Sequence, residues 1–157
     1  MTTPTDAIAL AEWRRSVAEL YARVRELAAT SPEAAWRMFR EGRDALFARH
    51  SQTPLSPEQL ARFHGLDYFP YDPAWRVLAT VEAGVEHHAY SVDLGEDGVL
   101  RYTRVARLHF TVVDAPASLD LYWIEGYGGG LFLPFRDLSN GSETYGGGRY
   151  LLDTIKG

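Results

Sequence analysis

The sequence predicts an α+β fold, with two long helices and one short one followed by a mostly antiparallel β-sheet. Three observations carry that expectation. Apolar residues in the first third recur at three- and four-residue steps. After Tyr68-Phe69-Pro70 the apolar period drops from 3.6 to 2. The links between the later apolar runs are too short for the crossovers that parallel strands need. A chain of 157 residues makes one domain natural. It spans 1–157, with a helical part over 1–66 and a β part over 67–157.

The first helix shows an apolar stripe of Leu10, Trp13, Val17, Leu20, Val24 and Leu27, with Asp6 placed to cap its start. Arg14, Arg15, Glu19, Arg23 and Glu26 fill its other face. Ser31-Pro32-Glu33 combines a cap, a proline at the first helical position and an acid in the first turn. Trp36, Phe39, Ala45, Leu46 and Phe47 give this second helix its buried side. Gly42 weakens it by about 1 kcal/mol relative to alanine. Ser56 and Gln59 have the spacing of a capping box, and Gly65 is expected to end a short third helix.

Strands follow. Trp75, Val77, Ala79 and Val81 alternate with Arg76, Leu78, Thr80 and Glu82. A second strand is expected over Val85–Leu94, and Gly95-Glu96-Asp97-Gly98 reads as a hairpin turn. A third covers Val99–Val113 with a break near Ala106. Others cover Leu119–Glu125, Leu131–Phe135 and the surroundings of Arg149–Leu152. Six or so strands leave room for the sheet to curl into a partial barrel or roll. Tyr127-Gly128-Gly129-Gly130 and Tyr145-Gly146-Gly147-Gly148 read as aromatic-then-glycine turns at one end of the sheet.

Composition narrows the function classes. The hydrophobic fraction is 46% and the aromatic fraction 13%, enough for a packed core and against disorder. The net charge of −5 argues against a nucleic-acid domain and an anionic membrane surface as partners. Of 16 basic residues only Lys156 is a lysine, which fits a biased genome composition as well as planar recognition of anions. Cysteine is absent, so no disulfide or thiolate chemistry is available in these residues. There is no signal-peptide core near Met1 and no apolar run near the roughly 20 residues that span a bilayer. The expectation is a cytoplasmic protein without a membrane partner.

The densest chemistry lies in Leu131–Leu151. Pro134 cannot donate a ladder hydrogen bond, which marks its strand as an edge or a bulge. Arg136 and Asp137 follow the strand, Ser139-Asn140-Gly141 is a turn signal, and Glu143, Thr144 and Tyr145 precede three glycines, Arg149 and Tyr150. Glycines allow close approach of backbone to a ligand, and successive N–H groups can nest an anion. The expected ligand set is therefore Arg136, Asn140, Tyr145, Gly146, Gly147, Gly148, Arg149 and Tyr150, around a small anionic metabolite. An enzymatic alternative uses Asp137 or Glu143 as general acid or base, Arg149 on an oxyanion, and Tyr145 or Tyr150 as proton donor, with hydrolysis or isomerisation as reaction classes. A structural alternative pairs the acids with Arg136 and Arg149 and packs the tyrosines on the sheet. The run is not a P-loop, since it lacks the Lys-Ser/Thr pair.

Other candidates are weaker. His50, His64, His87, His88 and His109 match no zinc spacing, and adjacent His87 and His88 point to opposite faces of a strand, so no metal and no cofactor is expected. No G-x-S-x-G elbow supports a serine nucleophile, and Ser139 and Ser142 sit in turns. Trp13, Trp36, Trp75 and Trp123, with Phe63, Phe69 and Phe132, suit a core or an apolar pocket. The stripe of the first helix suits packing on the sheet or on a second copy, so a homo-oligomer or another partner docking here or at the strand edge stays open.

The chain resembles the domain-of-unknown-function family 1684 (DUF1684). The strong part reads Leu131-Phe132-Leu133-Pro134-Phe135-Arg136-Asp137, Asn140-Gly141, then Glu143-Thr144-Tyr145-Gly146-Gly147-Gly148-Arg149-Tyr150-Leu151. Weaker parts are Arg43-Asp44, Phe47, His50 and Pro54-Leu55, and Phe63, Gly65-Leu66, Tyr68-Phe69 and Asp72-Pro73. The resemblance implies a bacterial or archaeal protein with a mostly β domain after N-terminal helices, and it implies no reaction. It also implies a further stretch, rich in Asn, Tyr, Pro and Cys, after the Gly-Gly-Gly-Arg-Tyr segment, where this sequence stops at Gly157. Two alternatives stay open: a longer form whose tail completes the site, or a naturally short member.

Overall fold

The computed structural model describes residues 3–126 and 129–152. They form two compact units, a helical one ending at Pro73 and a β one beginning at Ala74. Residues 67–73 lie with the helices.

Helix α1 spans Pro4–Ala28. Its cap is Thr3 rather than Asp6. The Thr3 hydroxyl accepts from the Asp6 N–H at 3.1 Å, and the Asp6 carboxylate accepts from the Thr3 N–H at 3.1 Å. Asp6 thus closes a capping box from its third position. Helix α2 spans Pro32–Arg49, and Ser31 makes no side-chain cap bond. Its backbone angles of φ −142° and ψ 72° lie outside the extended region a capping residue adopts. Helix α3 is the single turn Pro57–Leu60, with the expected box between Ser56 and Gln59. It stops five residues before Gly65.

Gly65 serves another purpose. Its φ of +123° turns the chain so that the Leu66 N–H donates to Asp44 on α2 at 2.9 Å. From there the chain follows α2 through aromatic contacts. Phe63 stacks on Phe47 at 6.3 Å, Tyr68 meets Phe39 at 6.0 Å, and Tyr71 meets Trp36 at 5.7 Å. Trp13 of α1 packs on Phe47 and His50. Leu20 is only 4% exposed and sits directly over Gly42.

The β unit is an open sheet of six strands, every pair antiparallel. Its strands are β1 (Thr80–Glu82), β2 (Ala89–Asp93), β3 (Val99–Val112), β4 (Ala115–Ile124), β5 (Gly130–Phe135) and β6 (Arg149–Leu152). The order is β1-β3-β4-β5-β6, and β2 also pairs with β3. β2 opposes Val99–Thr103, and β1 opposes Arg107–His109, so the two lie end to end along the long strand. The sheet does not close into a barrel among the described residues. Trp75–Leu78, expected to open the first strand, precede it, with Pro73–Trp75 in a 3-10 turn. His87 and His88 precede β2 rather than lying within it. The break expected near Ala106 is a bulge between Arg104 and Ala106, and it leaves Ala106 buried.

One face of the sheet carries an aromatic row that crosses five strands. Tyr90 stacks on Tyr102 at 5.2 Å, Tyr102 meets Tyr122 at 5.3 Å and Phe132 at 5.6 Å, and Phe132 meets Tyr150 at 5.6 Å. Cross-strand aromatic pairs of this kind fix register and pack the sheet. Of the aromatic residues singled out for a core or pocket, Trp75 and Phe69 are instead more than half exposed. Pro134 pairs with Tyr150 on β6 at a level where β4 no longer accompanies β5. The proline therefore lies beyond the last β4 partner of β5, where that strand is open on one side, although β5 is an interior strand of the sheet.

The hairpin from β3 to β4 turns on two residues, Val113 and Asp114, with φ of 49° and 65°. Such a turn favours Asn-Gly, and a β-branched residue is strained there. Val113 is exposed and loses no packing when replaced. Val113→Asn is therefore expected to stabilise the β unit by about 1 kcal/mol, read as a higher urea midpoint; a lower midpoint would contradict the strain argument.

Candidate functional site

The segment between β5 and β6 is a hydrogen-bonded loop built around Asp137, Ser139 and Asn140. Asp137 leaves the end of β5. Its Oδ1 accepts from the Ser139 N–H at 2.9 Å and from the Ser139 hydroxyl at 2.5 Å. Its other oxygen pairs with the Arg149 guanidinium. The Ser139 bonds, reinforced by Arg149, hold the Asp137 carboxyl below its ordinary value. Asn140 returns the favour to the backbone. Its Oδ1 accepts from the Asp137 N–H at 2.6 Å, and its Nδ2 donates to the Tyr145 carbonyl at 2.7 Å.

Ser139 is the hub. Its carbonyl accepts from the Ser142, Glu143 and Thr144 N–H groups, and its hydroxyl lies 2.9 Å from that of Thr144. Arg149 Nη1 also donates to the Ser139 hydroxyl at 3.3 Å. The strand register sets Arg149 opposite Phe135, and its guanidinium lies 5.1 Å from the centre of that ring. Arg149 is thus committed on several sides to neighbours within the loop and sheet.

Arg136 is used differently. Its Nη2 donates to the Gly146 carbonyl at 3.0 Å, and its side chain is exposed. No acid pairs with it among the described residues. Gly146 and Gly147 form the centre of a turn closed by the Gly148 N–H donating to the Tyr145 carbonyl at 3.1 Å. The peptide joining Gly146 and Gly147 directs its carbonyl at Arg136, so its N–H points the opposite way. Gly148 has φ of +108° and lies against Arg136 and the Phe135 carbonyl. Tyr145 is 78% exposed, and Tyr150 packs on Phe132. The Glu143 carboxylate is exposed and makes no hydrogen bond or ion pair among the described residues.

The structure therefore brings Arg136, Asp137, Asn140, Gly146, Gly148 and Arg149 into one loop and leaves the Glu143 carboxylate outside its bonding. The sequence reading did not identify Ser139 as the centre of the network. Its position two residues after Asp137 is the signal, since Asp-x-Ser spacing suits an Asx turn. The glycine turn at Tyr127-Gly128 lies outside the described residues; Gly129 packs against Trp123.

Elsewhere, His109 pairs with Glu82 at 2.7 Å, and Asp120 accepts from Arg104 and Arg107. Among the described residues no group of three His, Cys, Asp or Glu is placed to hold a metal ion. None of their helices is long and apolar enough to cross a membrane.

A family profile described as protein of unknown function, DUF1684, matches residues 61–157. A solution NMR structure of an uncharacterised protein from Haloarcula marismortui is similar at 35% identity with a TM-score of 0.51. The match covers 76% of this chain and 65% of that one, so the chain spans less than two thirds of that relative. No curated protein matches.

Proposed function

The chain belongs to DUF1684, a family of proteins of unknown function, and we propose that it binds a small carboxylate- or phosphate-bearing metabolite with Arg136 as the gripping residue. The observation that carries this reading is the state of the Arg136 guanidinium. One donor is spent on the Gly146 carbonyl, no acid among the described residues neutralises it, and the side chain is exposed. A guanidinium fixed at one corner and open along its remaining edge suits a planar or tetrahedral oxyanion. The exposed Tyr145 hydroxyl supplies a second donor from the same loop. Arg149 keeps the loop in shape through Asp137 and Ser139 instead of holding the ligand.

Binding is favoured over catalysis by the acids. Both Asp137 oxygens are engaged, and the group is held ionised, which weighs against it as a proton carrier.

The test is a thermal-shift series with succinate on the full chain. Ligand-dependent stabilisation is expected in the parent and in Tyr150→Phe, and is expected to vanish in Arg136→Ala, whose own melting temperature moves little. Stabilisation that persists undiminished in Arg136→Ala, or that no acidic compound produces, ends this reading.

A further inference from the structure

We propose a second oxyanion site on the helical unit, formed by Arg40 and Arg43 of α2 with the hydroxyl of Tyr68, and suited to a dianionic phosphate group. It rests on observations independent of the loop at Arg136.

Three donor groups lie on α2 and the segment packed along it, without hydrogen-bond acceptors among the described residues. The Arg40 guanidinium lies between two rings, 4.6 Å from the centre of Trp36 and 5.1 Å from that of Tyr68. The Arg43 guanidinium lies between Phe39 and Phe47, at 5.6 and 5.4 Å. Both side chains are half-buried, yet neither makes a hydrogen bond or ion pair among the described residues. The Tyr68 hydroxyl is buried and has no hydrogen-bond partner among the described residues. Buried hydroxyls almost always find one, so this hydroxyl is available to an added acceptor.

The chemistry of the added group follows from what is present. Aromatic rings hold a guanidinium through its face and satisfy none of its N–H donors. The two arginines stand three residues apart, on one face of the helix and one turn from each other. The acid beside them, Asp44, is already bound to the Leu66 N–H, which fixes the Tyr68 segment against α2. The place is therefore rich in donors and already supplied with order. A single carboxylate would satisfy one guanidinium. A phosphate monoester presents three acceptor oxygens and close to two negative charges, enough to serve both arginines and the phenol. Two unneutralised cations on a chain of net charge −5 also make this a local attractor for anions.

The sequence places Phe39 and Phe47 on the buried face of α2 and gives Arg43 only within a weaker stretch of family resemblance, with no signal at Arg40.

Calorimetric titration of the full chain with inorganic phosphate tests the assignment. Arg40→Gln and Arg43→Gln are each expected to weaken phosphate binding at least tenfold. Tyr68→Phe keeps the ring under Arg40, removes the orphaned hydroxyl, and is expected to melt no lower than the parent while binding phosphate several-fold more weakly. That opposite movement of stability and affinity is not what a packing role alone produces. Arg136→Gln is expected to leave this binding step in place. No measurable phosphate binding by the parent, affinity unchanged in Tyr68→Phe, or loss only in Arg136→Gln overturns the proposal.

Discussion

Gly148→Ala is expected to destabilise the β unit by about 2–3 kcal/mol, from strain plus collision. Gly148 holds φ of +108°, a conformation an alanine adopts only with strain. An added Cβ would also lie 3.0 Å from the Phe135 carbonyl oxygen and 3.0 Å from Arg136 Cγ. The carbonyl belongs to the β5 backbone, which is paired to β6 and cannot yield without breaking the pairing of Phe135 with Arg149. The strain and the collision can be separated. Gly141 has φ of +84° with open space where a Cβ would stand. Gly141→Ala therefore carries the strain alone and is expected to cost about 1 kcal/mol. Urea unfolding followed by tyrosine and tryptophan fluorescence reads both. Equal losses in the two variants would mean that contact with β5 plays no part. The prediction bears on function because Gly148 packs against Arg136: the same variant should lose succinate stabilisation even where it remains folded.

Much of this loop was legible because its partners are close in sequence. Arg136, Asp137 and Arg149 flank one turn, so a β5–β6 hairpin brings them together whatever the rest of the chain does. The choice of pairing was not legible. Asp137 joins Arg149 rather than its neighbour Arg136 because Ser139 and Asn140 fold the Asp137 carboxylate and backbone into an Asx turn. Composition signals the turn but not the direction in which its carboxylate points.

The fold divides in the same way. Helix starts at Pro4, Pro32 and Pro57 each carry a proline in the first turn, and the sheet carries period-2 alternation. Both signals are local. The shortness of β1 and β2 is not local. It depends on β3 being long enough to pair with both, and on the bulge after Arg104 that changes which side chains face which way. The tight turn at Val113-Asp114 has no sequence signature, because neither residue marks a two-residue hairpin; the apolar run continues through Val113, and β4 begins at Ala115, four residues before the apolar run at Leu119. The two weaker stretches of family resemblance meet through the Asp44 bond to Leu66, across 22 residues, a separation over which a single sequence gives no pairing signal.

Gly42 shows how tertiary packing reverses a local rule, and it sets the second large effect. Helix propensity alone makes Gly42→Ala a gain of about 1 kcal/mol. In the structure a Cβ on Gly42 would stand 2.5 and 2.8 Å from the two methyl carbons of Leu20. Leu20 is among the most buried side chains of the helical unit and has little room to withdraw. Overpacking of this kind costs about 1–3 kcal/mol, so the net change is expected to be a loss. Leu20→Ala removes the obstacle and opens a cavity, with an expected loss of about 3 kcal/mol. The double variant is the decisive case. With Leu20 truncated, the new methyl on residue 42 meets no clash, recovers its helix propensity and fills part of the void. Its stability should therefore exceed the additive value by about 1 kcal/mol or more. Thermal and urea unfolding of the four proteins gives that coupling directly. An additive cycle, or a stabilising Gly42→Ala single variant, would place α1 farther from α2 than the Leu20 contact allows.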